Sequence, residues 1–213
     1  MFFAVDLAAA RELLGPTGVE PWPFFGKALA ALYAWNYRDS TVGSYNEVGL
    51  GIQARRPGTK PSVTRLAMDM LAQPDQGIWV ASLPVTTEEA CRAGVEIWGY
   101  PKYVTPIETK IDASGGYVRL GDELELRVPK PTVFRKNLPI ATYTKLGEKL
   151  IRTEIKVSSN VGLATSGTLS LLSNREGPTA KIASALQLSS ARVIGGFLSE
   201  EFKAVLPEGT SVM

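Results

Sequence analysis

Amine chemistry on a carbonyl group needs a lysine and a proton-moving group such as a carboxylate, and two candidates lie in distinctive segments. Lys102 closes the segment WGYPK at positions 98 to 102, and Glu47 lies in SYNEVG at positions 44 to 49. A lysine amine attacks a carbonyl carbon only when neutral, and its unperturbed pKa is about 10.4. Burial in an apolar pocket or a neighbouring cation lowers that value. A carboxylate beside such an amine can move its proton or orient water. By type alone, each residue also has an ordinary role, because loop lysines and strand-face carboxylates are mostly solvated.

The residues that are missing narrow the chemistry further. The chain has no histidine and one cysteine, Cys91. A Ser-His-Asp triad is therefore impossible, and a zinc site would need carboxylates alone. No metal and no cofactor is expected, and acid–base work falls to Glu, Asp, Lys or Tyr. Cys91 reads as a structural thiol on a short helix.

The elements around the two candidates are legible. Residues 44 to 54 alternate, with Asn46, Val48, Leu50, Ile52 and Ala54 on one face. Tyr45, Glu47, Gly49, Gly51 and Gln53 share the other, which makes this a strand with open space beside the carboxylate. Gly49-Leu50-Gly51 is not a dinucleotide loop, because it lies inside the strand pattern. Residues 78 to 84 predict a second apolar strand. Thr86 and Glu89 have capping-box spacing ahead of a helix over roughly 87 to 98. Ala90, Ala93, Gly94 and Ile97 form its apolar stripe. Gly99 stops that helix and Pro101 prevents its continuation, so Lys102 lies on a loop just past a helix end.

Elsewhere, residues 2 to 5 read as a strand and Asp6 as the N-cap of a helix over Leu7 to Leu14. Residues 27 to 36 fit a buried strand or a helix equally well. Residues 55 to 62 form a basic turn. Gly115-Gly116 and Gly121-Asp122 separate strands of a meander. Residues 151 to 157, 167 to 172 and 180 to 188 are further strand candidates, and 200 to 206 a final short helix. The expected fold is one β-rich α+β domain over residues 1–213, with mainly antiparallel pairing.

Bulk properties agree with a soluble globular domain. The chain has 213 residues, 45% hydrophobic and 21% charged, with a formal net charge of +2. That charge argues against nucleic acid, and the longest apolar run, 28 to 35, is too short for a membrane span. The N-terminal segment lacks the basic start of a signal peptide, and a lone cysteine fits a reducing compartment. A cytoplasmic protein is the expectation.

The segment AGVEIWGYPKYVTPIE, residues 93 to 108, resembles the active-site stretch of the acetoacetate decarboxylase family. Members carry Gly-Arg-Glu followed by Tyr/Phe-Pro-Lys, whose lysine forms the Schiff base; Glu96, Tyr100, Pro101 and Lys102 match. SYNEVG resembles the family strand whose active-site glutamate falls on Glu47. Weaker similarity runs from Phe2 to about Leu206. The resemblance implies an antiparallel cone or closed barrel-like sheet with peripheral helices, a small-molecule carbonyl substrate and a homo-oligomer. It implies Lys102 and Glu47 as catalytic residues, with Tyr100, Arg38, Tyr45, Trp98 and Tyr103 around the substrate.

There are departures. The decarboxylases carry a second lysine where this chain has Tyr103, the tripeptide arginine is Val95, and Leu32 falls near a second family glutamate. Tyr103 supplies no cation, so burial among Trp98, Tyr100 and Tyr103 is expected to activate Lys102, with Arg38 the alternative cation. The implied activity is decarboxylation of a β-keto acid or related carbonyl compound. The alternatives are aldolase–dehydratase or cyclase chemistry on the same enamine, or binding without turnover.

Overall fold

The computed structural model describes residues 1–59, 75–112, 114–131, 133–136 (backbone) and 140–212. Residues 60–62 of the expected basic turn lie outside these. Strand β1 (Phe2–Val5) leads into helix α1 (Leu7–Leu14), then β2 (Glu20–Pro21), β3 (Ala28–Tyr37), β4 (Tyr45–Arg55) and β5 (Gln76–Ser82). Helix α2 (Glu88–Trp98) precedes β6 (Ile107–Asp112), β7 (Gly115–Leu120), β8 (Leu124–Pro129), β9 (Val133–Lys136) and β10 (Ile140–Leu146). The chain ends with β11 (Lys149–Ala164), β12 (Thr168–Leu171), α3 (Pro178–Ala185), β13 (Arg192–Leu198), β14 (Phe202–Val205) and β15 (Thr210–Ser211).

The large sheet closes into a ring. Its neighbours run β10-β5-β4-β3-β1-β13-β11, and β11 returns to pair with β10. The length of β11 makes this possible. Its first part pairs with β10 from Lys149 to Ile155, and its last part pairs with β13 from Gly162 to Ala164. Pairing around the ring is antiparallel except between β5 and β10. A second antiparallel sheet, β12-β8-β7-β6, packs beside it.

The two faces of β4 differ as the alternation predicts. Val48, Leu50, Ile52 and Ala54 join Ala28, Ala30 and Leu32 of β3 in the main core, against Val118, Leu120, Leu124 and Leu126 of the second sheet. Burying each of the Val, Leu and Ile side chains contributes about 1.5–3 kcal/mol. The opposite face, bearing Tyr45 and Glu47, turns towards the inside of the ring. Residues 27 to 36 resolve as strand, because β3 is paired on both sides, with β1 and β4.

Asp6 caps α1 as expected, accepting from Ala8 and Ala9 N–H at 2.9 and 3.1 Å. Three expectations are corrected. The N-cap of α2 is Thr87, not Thr86, whose hydroxyl instead accepts from the Asn46 amide at 2.9 Å. Residues 180 to 188 are not a strand: Pro178 stands in the first turn of α3, and Glu123 accepts from the amides of Thr179 and Ala180, both at 2.9 Å. That carboxylate serves as the side-chain cap that Gly177 lacks. Residues 202 to 205 are a strand rather than a helix, because they pair with Lys156–Ser159 in the middle of β11. No helix among the described residues is long and apolar enough to cross a membrane.

Candidate active site

Backbone pairing brings Lys102 to Glu47. After β5 the chain runs beside β4, with Val48 N–H donating to Pro84 O at 3.0 Å. The loop after α2 then runs beside that segment: Leu83 N–H donates to Pro101 O at 3.1 Å, and Val85 N–H to Tyr103 O at 2.9 Å. Gly99 ends α2 in the left-handed region at φ +65°, and its amide closes on Gly94 and Val95 carbonyls. The Thr144 hydroxyl donates to Trp98 O at 2.6 Å, tying the helix end to β10.

The result is a buried ion pair. Lys102 Nζ donates to Glu47 Oε2 at 2.7 Å, with the two side chains 6% and 8% exposed. Burial raises the Glu47 carboxyl above its ordinary value, and the neighbouring Lys102 offsets part of that rise. The amine also lies 5.5 Å from the Tyr45 ring centroid and 6.0 Å from that of Tyr100. Gly94 on α2 leaves room for the lysine stem, which a Cβ there would meet at 2.5 Å from Cδ.

The pair opens into a cavity of about 2090 Å³, whose wall includes Tyr45, Trp98, Tyr100 and Arg38. The apolar stripe of α2, Ala90, Ala93, Gly94 and Ile97, faces this cavity. The Tyr100 hydroxyl is tied to Thr142 Oγ1 at 2.8 Å, and burial pushes its pKa up to about 12. Trp98 donates its indole N–H to Pro207 O at 2.9 Å, joining α2 to the segment after β14. Arg38 is exposed at the cavity mouth.

Tyr103 is not in this group. Its hydroxyl donates to Glu123 Oε1 at 2.8 Å and lies 2.8 Å from Thr179 Oγ1, which in turn lies 2.7 Å from Ser82 Oγ. The side chain therefore points to the N-terminus of α3 and away from the lysine, and the expected Tyr103 contact with substrate is replaced by an anchor for the loop.

Sequence reasoning missed Tyr33. It stands opposite Gly49 in the β3–β4 register, and a Cβ on Gly49 would lie 2.5 Å from the Tyr33 hydroxyl oxygen. The ring thus fills the space above the glycine, lines the cavity and leaves its hydroxyl without a hydrogen-bond partner among the described residues. Burial, then the charge of Glu47, holds this phenol well above the ordinary tyrosine value. The glycines on the Glu47 face were the available signal, but only the register showed which ring they admit.

Comparison identifies the class of protein to which the ring-like sheet belongs. The family described as acetoacetate decarboxylase (ADC) matches residues 1–128, more than half the chain, and the chain belongs to that family. The fold resembles the crystal structure of acetoacetate decarboxylase from Legionella pneumophila, with a TM-score of 0.70, 17% identity, and coverage of 100% of this chain and 82% of that one. It also resembles the enduracididine biosynthesis enzyme MppR complexed with the condensation product of pyruvate and imidazole 4-carboxaldehyde (TM-score 0.64, 17% identity, 99% and 84% coverage). An acetoacetate decarboxylase-like enzyme from Sphingomonas wittichii RW1 aligns at TM-score 0.60 and 14% identity, over 100% and 88% of the two chains. No curated protein matches the chain in sequence.

Proposed function

We propose that this chain is a Schiff-base-forming lyase acting through Lys102 on a β-keto acid or a related carbonyl compound. The observation that carries this reading is the 2.7 Å contact between Lys102 Nζ and Glu47 Oε2 at the buried end of a cavity. Among the described residues the amine has an acceptor for its proton, Glu47, and no activating cation in contact. A carboxyl whose pKa is raised by burial is suited to take that proton and return it.

The neutral amine adds to the carbonyl carbon, and loss of water leaves a protonated imine. In a β-keto acid, the bond to the carboxylate breaks, its electron pair moves into the imine as an enamine, and carbon dioxide departs. Glu47 gives up its proton as water leaves, is reprotonated from solvent, and passes that second proton to the enamine carbon; hydrolysis then releases the ketone and restores the amine. The same enamine can attack an aldehyde, giving aldolase–dehydratase or cyclase chemistry. The exposure of Arg38 favours that second branch, because among the described residues no fixed cation beside Lys102 holds a substrate carboxylate.

Sodium borohydride reduces such an imine to a stable secondary amine. With β-keto acids and aldehydes as probes, the expected result is an intact-mass increase that maps to Lys102 and disappears in Lys102→Ala. A folded protein that yields no adduct across the panel sinks the proposal. Probe binding of unchanged affinity in Lys102→Ala would instead indicate a binding protein without turnover.

A further inference from the structure

The cavity carries far more aromatic surface than a small keto acid can use. On its β3–β4 face, the register sets Tyr37 opposite Tyr45, Trp35 opposite Glu47, and Tyr33 opposite Gly49. The rings form an unbroken run that begins beside the lysine. Tyr45 stacks on Tyr37 with centroids 4.5 Å apart, and Tyr37 meets Phe202 edge-on at 5.4 Å. Phe202 lies 4.8 Å from Trp35, and Trp35 lies 6.4 Å from Tyr33. Phe202 comes from β14, so the run crosses from one wall of the cavity to another. All five residues are half-buried and line the cavity.

Charge is distributed in the opposite way. The other cations lining the cavity, Arg38, Lys110, Lys130 and Lys203, are all exposed. At the buried end, the only lysine or arginine side chain among the described residues is Lys102 itself, which must be neutral to attack. A charge placed there without a fixed counter-ion loses its hydration at a cost, whereas a flat ring gains contact and the edge or stacking geometry that aromatic pairs prefer. The cavity mouth continues the same character, since Ile97 and Val205 line it while 47% and 63% exposed.

We infer that the substrate class is the aryl-substituted carbonyl compounds. The ring lies along the Tyr37–Phe202–Trp35 run, and the carbonyl reaches Lys102. This rests on the Schiff-base reading of Lys102, and the test separates the two.

Borohydride trapping is titrated on the full chain with three β-keto acids: acetoacetate, 3-oxooctanoate and benzoylacetate. The expected half-saturating concentration for benzoylacetate is about tenfold below that for acetoacetate, with 3-oxooctanoate between them. Phe202→Leu and Trp35→Leu are expected to shrink the difference between benzoylacetate and 3-oxooctanoate. Equal half-saturation for benzoylacetate and acetoacetate, with the adduct on Lys102, overturns the inference and leaves the Schiff-base reading standing. Equal half-saturation for 3-oxooctanoate and benzoylacetate overturns the aryl assignment, the pocket then being merely apolar. No adduct with any of the three, nor with the aldehydes of the wider panel, overturns both readings.

Discussion

Gly94 and Lys102 occupy one another's space: a Cβ on the glycine would stand 2.5 Å from Lys102 Cδ and 3.0 Å from its amine. Glycine within a helix is about 1 kcal/mol less favourable than alanine. Gly94→Ala is therefore expected to hold or raise the urea midpoint while displacing the lysine. A shift of that size predicts at least about a tenfold slower rate of imine trapping. An unchanged trapping rate would show that the glycine does not position the amine.

Lys102→Met leaves Glu47 buried without its counter-ion. Removing one partner of a buried pair costs about 3 kcal/mol, and less here to the extent that Glu47 takes up a proton. Adding Glu47→Gln to that variant is expected to recover most of the loss, as read from urea denaturation. A double variant no more stable than Lys102→Met would mean that the pair is not the source of the cost.

The raised Glu47 carboxyl also sets a pH dependence. The folded chain holds this proton more tightly than the unfolded chain, whose value is near 4.5. Glu47's contribution to stability is thus complete below that value and is lost as pH rises through the raised one. Because Lys102 offsets the rise, Lys102→Met extends the declining limb to higher pH. Thermal melts from about pH 4 to about pH 8 should show a steeper decline in Lys102→Met than in wild type, and a flatter profile in Glu47→Gln. Parallel profiles in all three would contradict the assignment.

Tyr103 occupies the position of the decarboxylases' second lysine, but its side chain runs to Glu123. An amine introduced by Tyr103→Lys would meet that carboxylate rather than Lys102. The pH midpoint of trapping in this variant is expected to move by less than about half a unit. Tyr103→Phe leaves Glu123 one hydrogen bond short and is expected to cost about 1–3 kcal/mol in chemical denaturation. A large acid shift of the trapping midpoint in Tyr103→Lys would show that position 103 does reach the amine.

Tyr33 brings a protonated hydroxyl to the cavity without a protein partner among the described residues. Tyr33→Phe keeps the ring over Gly49 and removes only the donor. Trapping at saturating probe is expected to slow by about tenfold to a hundredfold, with little change in half-saturation. If half-saturation rises instead while the maximal rate holds, the hydroxyl serves binding alone.

Local signals read well from the sequence, and distant ones did not. The stop at Gly99, the pinned loop at Pro101 and the two faces of β4 depend on neighbours in the chain, and they place Lys102 and Glu47 correctly. The helix over 178 to 185 escaped notice because its cap, Glu123, is 56 residues away from Ala180's neighbour Thr179. The strand at 202 to 205 depends on its pairing with β11, and its short run carries no decisive period. Tyr103 was assigned to the pocket because adjacency to Lys102 says nothing about which way a strand-like loop turns alternate side chains. The aromatic run was invisible for a similar reason: it requires the β3–β4 register and the arrival of Phe202 from another wall.

The closure of the ring has a consequence for the chain as it is made. Phe2 of β1 pairs with Gly195 of β13, so the circle cannot shut until residue 195 has left the ribosome. Synthesis proceeds at about 5–20 residues per second, which leaves β3 and β4 waiting many seconds for the partners that enclose them. Through that interval Tyr33, Trp35 and Tyr37 face open water on a paired but unclosed ribbon. The rings that give the finished cavity its character are, until then, exposed apolar surface, and the yield of folded product should depend on how quickly β13 and β14 arrive to cover them.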